Sequence, residues 1–208
     1  MSFRESDLLL VIDVQVDFLP GGALAVPDGD AVIAPVNRLI ERAAHVVLTQ
    51  DWHPAGHVSF ASAHAGRAPF ETTELPYGTQ VLWPDHCVQG SAGAAFHPDL
   101  LTDRAGMVVR KGHHPQVDSY SAFMEADRLT RTGLAGALRE RGISRVLLCG
   151  LALDYCVAWS ALDAREAGFE VAVIADATRG IARDSSAAAW ARMEAAGIGR
   201  VSAADLAG

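Results

Sequence analysis

Arg145-Val-Leu-Leu-Cys-Gly-Leu-Ala-Leu-Asp-Tyr-Cys156 decides the fold. The run from Arg145 to Leu151 is aliphatic and of strand length, without polar alternation, which is the pattern of a strand buried on both faces of a sheet. From Asp154 the sequence turns helical and stays so to Ala167, with Asp154 at the position of an N-cap. A buried strand feeding directly into a helix is the repeating step of a parallel α/β sheet.

The same step recurs on both sides of this stretch. Strand-like runs lie at Leu8 to Val14, His45 to Thr49, Met107 to Arg110, Glu170 to Ala175 and, more weakly, Ile198 to Val201. Helical stretches lie at Asp30 to Arg42, Leu134 to Arg141 and Asp184 to Ala196, with Asp30 and Asp184 as N-caps. These alternating elements predict an α/β fold: a doubly wound, mostly parallel sheet of about six strands in the common order 3-2-1-4-5-6, helices on both faces. No linker, repeat or low-complexity tract divides residues 1–208, which read as one domain. Two stretches break the rhythm: residues 51–100, rich in His, Pro, Gly and aromatics, and the shorter His113 to Met124. Connections that long usually carry function.

Composition narrows the classes. With 208 residues, 50% of them hydrophobic and 20% charged, the chain is ordinary globular material. Its longest aliphatic run, Leu8 to Ile12, is far too short to span a bilayer. A formal net charge of −8 opposes a phosphate footprint, so no nucleic-acid partner is expected. The first seven residues, Met1-Ser-Phe-Arg-Glu-Ser-Asp7, carry two acids and lack the order of a secretory signal, which predicts a cytoplasmic location. Three cysteines make a disulfide framework a poor reading and leave at least one free thiol to explain.

Four unusual polar residues sit at carboxyl ends of predicted strands: Asp13 after the first, Asp51 after the second, Lys111 after the third and Cys156 past the fourth. In an open α/β sheet, ligands bind at that edge, where the strand order reverses. Cys156, in the first helical turn, has unpaired N–H groups and the positive end of the helix dipole to favour its thiolate. Asp13 within reach of the sulfur accepts its proton and returns it to a departing amine, while the Lys111 ammonium keeps that carboxylate charged and oriented. The plain alternatives are a small core residue at Cys156, a turn-capping carboxylate at Asp13 and a solvated lysine at Lys111. Cys149 and Cys87 read as packing residues.

Asp51-Trp-His53 and Trp83-Pro-Asp-His86 supply one carboxylate and two imidazoles that a folded loop can aim at one point. Such a set with open positions suits one divalent ion, Zn(II) first, with Fe(II) or Mn(II) as alternatives. His57 stays open between a fourth ligand, a partner of a ligand and a loop-shaping residue; His113 and His114 are expected to line or cover the cleft.

The sequence resembles the nicotinamidase family of the isochorismatase-like cysteine hydrolases, and the resemblance runs nearly end to end. It is carried by Val11-Ile-Asp13-Val-Gln15-Val-Asp17-Phe18 with Gly21-Gly22, Asp51-Trp-His53-Pro with His57-Val-Ser59-Phe60, Trp83-Pro-Asp85-His86-Cys-Val-Gln-Gly90 with Phe96-His97-Pro98, Lys111-Gly112, and Gly150-Leu-Ala152-Leu-Asp154-Tyr-Cys156-Val157. The resemblance implies a Cys156, Asp13, Lys111 triad and an ion at Asp51, His53 and His86. It also implies a cis peptide between Leu151 and Ala152, oxyanion donors at Ala152 and Cys156, and a substrate pocket with Phe18, Trp83, Ala152 and Tyr155. The implied reaction is hydrolysis of nicotinamide to nicotinic acid and ammonia, in NAD salvage, through a thioester. Homo-oligomerisation stays open. Two rivals stand beside it: a related cysteine amidase for a carbamoyl or ureido substrate, which the Asp51, His53, His86 set disfavours, and a noncatalytic metal or redox sensor.

Overall fold

A computed structural model describes residues 2–206. Its main sheet has six strands, all paired in parallel: β1 (Asp7–Ile12), β2 (His45–Asp51), β5 (Met107–Lys111), β6 (Arg145–Leu151), β7 (Glu170–Arg179) and β8 (Gly199–Val201), in the order β5-β2-β1-β6-β7-β8. Renumbered within the sheet this is 3-2-1-4-5-6, as predicted. A separate antiparallel hairpin, β3 (Thr72–Leu75) and β4 (Gly78–Val81), sits inside the long loop after β2.

The period of two along each strand sends alternate side chains to opposite faces. Leu9 and Val11 of β1 join one core with Val36, Leu39 and Ile40 of α1 (Ile33–Ile40). Leu8, Leu10 and Ile12 join the other core with Leu134 and Leu138 of α2 (Leu134–Glu140), Ala161 and Ala164 of α3 (Ala158–Glu166), and Ala189 and Met193 of α4 (Arg183–Ala195). Each such leucine contributes roughly 2 kcal/mol by leaving water. The alanines let α3 and α4 approach the sheet closely. Among the described residues no helix is long and apolar enough to cross a membrane.

The boundaries differ where capping was read from sequence. The first helix does not start at an Asp30 cap; a 3-10 turn, Gly29–Val32, leads into α1, whose cap position is Val32. Asp184 lies inside the first turn of α4, after an Ala182 cap. Asp154 does not cap its own helix either, because that helix begins with a π-helical turn over Leu153–Val157 after Ala152. Its carboxylate instead accepts the N–H groups of Ile181 (3.0 Å) and Ala182 (3.2 Å) and the Ser185 hydroxyl (2.5 Å), and so fastens the segment leading into α4. Local spacing identifies a side chain able to cap, but not which backbone it meets. β1 ends at Ile12, before Val14, and β7 continues past Ala175 to Arg179.

Candidate active site

Asp51 and Lys111 are the last residues of neighbouring strands β2 and β5 and are directly paired in register. Asp13 follows the last residue of β1 in the left-handed region, φ 46°, a conformation that costs a non-glycine residue energy and that tightly packed surroundings must hold. Thr49 helps to hold it: the Asp13 N–H donates to the Thr49 hydroxyl oxygen (3.1 Å), and that hydroxyl donates to Asp13 Oδ1 (2.5 Å). The turn after β6 delivers Cys156 to the same place. The peptide between Leu151 and Ala152 is cis.

Lys111 joins these groups. Its Nζ lies 2.9 Å from Asp13 Oδ2, 3.0 Å from Asp51 Oδ1 and 3.5 Å from Cys156 Sγ, and it donates to the Ser119 carbonyl at 3.1 Å. Lys111 and Asp13 are 0% exposed, so water does not screen them. Burial pushes the lysine down, yet the Asp13 and Asp51 carboxylates outweigh it and hold the ammonium charged well above its usual range. Burial raises Asp13 above the ordinary carboxylate value, with Lys111 offsetting part of the effect. It also pushes the Cys156 thiol well up; Lys111 pulls it down while the neighbouring Asp13 pushes it further up. Desolvation here opposes the thiolate that a helix start was expected to favour.

Beside this group, ligand atoms of Asp51, His53 and His86 converge within 4.8 Å of one another, all three buried. Asp51 Oδ2 is 3.1 Å from His53 Nε2 and 3.3 Å from His86 Nε2. The other ring nitrogens donate to backbone carbonyls, His53 Nδ1 to Gly112 (2.9 Å) and His86 Nδ1 to Pro84 (2.8 Å), the support that fixes a metal-binding tautomer. Burial pushes Asp51 up, but His53 and Lys111 outweigh it and hold the carboxyl well below its usual value. One anionic oxygen and two oriented imidazoles fit a divalent ion of the zinc type. Gly112, at φ +65°, is required here: a Cβ would stand 2.5 Å from His53 Cε1.

His57 is not part of that set. Its Nδ1 accepts from the Ser59 N–H (3.2 Å) and hydroxyl (2.7 Å), while Nε2 faces the carbonyls of His114 (2.9 Å) and Val117 (3.2 Å). Both nitrogens are thus engaged, and burial favours the neutral ring. It ties the loop after β2 to the loop after β5. His113 and His114 have exposed side chains and do not line the pocket, contrary to expectation.

The pocket over Cys156 is walled by Phe18, Leu24, Trp83, Tyr120, Ala152, Tyr155 and Ile181, with Asp51, His53, His86 and Asp118 on its polar side. Trp83 and Tyr155 meet edge to face at 4.9 Å, and Phe18 leans on His86 at 5.6 Å. All four pocket residues expected from sequence are there. Tyr120 and Asp118 were missed, although both lie in the flagged stretch His113 to Met124; Gln80 of the unforeseen hairpin donates to both, at 3.1 and 2.7 Å. Cys149 is a core residue, and Cys87 is buried with its N–H donating to Asp17 (2.7 Å).

The isochorismatase domain model matches residues 7–205. A nicotinamidase of Acinetobacter baylyi is 52% identical over 95% of this chain and 93% of its own length. The yeast nicotinamidase bound to the inhibitor nicotinaldehyde superposes with a TM-score of 0.88 at 31% identity, over 94% of this chain and 99% of that one. A pyrazinamidase of Pyrococcus horikoshii, solved in complex with zinc, has a TM-score of 0.78 at 39% identity, over 95% of this chain and 99% of that one. With its Asp13, Lys111 and Cys156 cluster set on this sheet, the chain belongs to the isochorismatase family, among its nicotinamidase members.

Proposed function

We propose that this chain hydrolyses nicotinamide to nicotinate and ammonia through a thioester on Cys156, as one cytoplasmic domain acting in NAD salvage. The observation that carries the mechanism is the shared contact of one buried ammonium with Asp13, Asp51 and the Cys156 sulfur. Asp13 takes the thiol proton as the sulfur attacks the carboxamide carbon, and the N–H groups of Ala152 and Cys156 receive the developing oxyanion. Asp13 then gives the proton to the departing nitrogen, and ammonia leaves. In the second half it takes a proton from the attacking water and returns it to the sulfur, which frees the acid. Lys111 keeps Asp13 aimed at the sulfur and favours its charged form whenever it must act as the base.

Asp51, His53 and His86 would hold a divalent ion, zinc by preference and iron(II) or manganese(II) otherwise, which supplies a Lewis-acid anchor for the pyridine nitrogen. Phe18, Trp83 and Tyr155 confine the flat ring. Purified protein should release ammonia from nicotinamide, and Cys156→Ala should lower that rate by at least about 10⁴-fold while the protein stays folded. Retained turnover in the variant would remove Cys156 from the reaction.

A further inference from the structure

The proposed reaction leaves Asp118 unused, although it faces the same pocket as Asp51, His53 and Cys156. It is 2% exposed. Gln80 Nε2 donates to its Oδ2 at 2.7 Å and the Ser119 N–H donates to its Oδ1 at 2.8 Å, so both oxygens serve as acceptors, as in a carboxylate. A carboxylate oxygen of Asp118 also lies within 4.8 Å of a ring nitrogen of His53 and one of His57. These residues do not make a second ion site, because both nitrogens of His57 already face protein partners. What Asp118 offers the pocket is a fixed charge.

The pocket's charges show what that does. Buried Asp51 and Asp118 line the pocket, and buried Asp13 and Asp51 pair with the Lys111 ammonium beside it; three carboxylates against one ammonium leave two negative charges that one divalent cation would cancel. A neutral carboxamide preserves that balance. Its carboxylate product upsets it by one unit in a place where burial leaves charges poorly screened.

We propose that Asp118 sets the charge selectivity of the pocket: it strengthens the hold on a divalent cation at Asp51, His53 and His86, and it disfavours the anionic acid relative to the neutral amide. This makes it a specificity-determining residue, and the inference rests on the nicotinamide reading above. The consequence for turnover is faster shedding of product.

Zinc affinity is measured by chelator competition on wild type, Asp118→Asn and Asp118→Glu. Nicotinate and nicotinamide binding are measured by calorimetry at saturating zinc, with each variant also carrying Cys156→Ala. Asp118→Asn should weaken zinc binding about 10- to 100-fold and raise the nicotinate-to-nicotinamide affinity ratio about tenfold or more. Asp118→Glu, which keeps the charge, should leave both close to wild type, and Asp118→Ser takes the place of the asparagine variant if that one does not fold. Unchanged zinc affinity with an unchanged ratio overturns the proposal, as does a parallel loss of both ligands, which marks a scaffold residue. Turnover of nicotinamide by the wild type, recorded on the same preparation, separates the two readings. An inactive wild type counts against the reaction; an active one with an unresponsive Asp118→Asn counts against Asp118 alone.

Discussion

The two ends of β1 and β6 each bury charge, and they do it in opposite ways. At the amino end Asp7 and Arg145, paired in register, form a two-pronged ion pair, with Arg145 Nε donating to Asp7 Oδ1 at 2.8 Å and Nη2 donating to Oδ2. The Arg4 N–H adds a bond to Asp7 Oδ2 (2.7 Å), and Arg145 Nη2 also reaches the Ser2 carbonyl (3.2 Å). Arg145 Nη1 also lies 4.0 Å from the exposed Glu170 carboxylate, but the buried pair is Asp7 with Arg145, and both Asp7 oxygens have hydrogen-bond donors. At the carboxyl end, Lys111 is divided between two carboxylates and a thiol, and Asp13 Oδ2 has no hydrogen bond beyond its ion pair with that lysine. Buried charge alone therefore does not identify a reactive site; an unequal, incompletely satisfied set does.

The comparison breaks first, and by the largest margin, at the lysine. Lys111→Met should lower nicotinamide turnover by about 10³-fold or more and destabilise the protein by about 3–5 kcal/mol, since it strands two buried carboxylates. Rate assays and denaturant titration check both, and a stable, active variant would undo the argument. Removing the ion with a chelator should reduce turnover more than about 100-fold while lowering stability by no more than about 3 kcal/mol, because the sheet cores do not include the ion site. Global unfolding in that experiment would assign the ion a structural role.

Arg145→Met tests the other end. It should cost about 3–5 kcal/mol in stability yet change kcat/KM by less than about twofold, and adding Asp7→Leu should recover most of the loss. A kinetic defect would mean that the two ends communicate through the strands. The smallest effect lies in the pH profile. Asp13 has its folded pKa raised above 3.8, so the stability tied to its protonated form is present below that value and lost as pH rises through the folded pKa. Asp51 is depressed, so its contribution is present above 3.8 and lost as pH falls through its lower folded pKa. Kcat/KM should therefore fall on an acid limb above pH 3.8 while the thermal midpoint holds, and coincident loss of both would contradict it.

Much of this was legible because strand ends are legible. Leu8 to Ile12 and Arg145 to Leu151 announce buried parallel strands, and a parallel sheet places Asp13, Asp51, Lys111 and Cys156 on one edge. The candidate ion site at Asp51, His53 and His86 could be read from its residue types, and the partner carbonyls of Gly112 and Pro84 could not, since backbone acceptors have no sequence signature. The hairpin escaped because Thr72–Leu75 and Gly78–Val81 are short and mostly polar, with only Gln80 of those eight residues buried. Asp118, Tyr120 and Gln80 escaped with it, since their meeting depends on how two long loops fold over the edge. Asp154 was noticed as an acceptor of backbone N–H groups, but those it meets belong to Ile181 and Ala182 rather than to its own helix.

That carboxylate matters for anyone reshaping the pocket. Asp154 stands two residues before Cys156, and its carboxylate is fastened to the backbone of Ile181, which forms part of the pocket wall. A substitution at Ile181 that enlarges the cavity and shifts its backbone would strain this bond to the segment that carries Cys156, so altered substrate range and altered reactivity are expected to travel together. Ser185, which never meets the substrate, becomes a compensating position for such libraries, and paired changes at Ile181 and Ser185 should deviate from the product of the single effects.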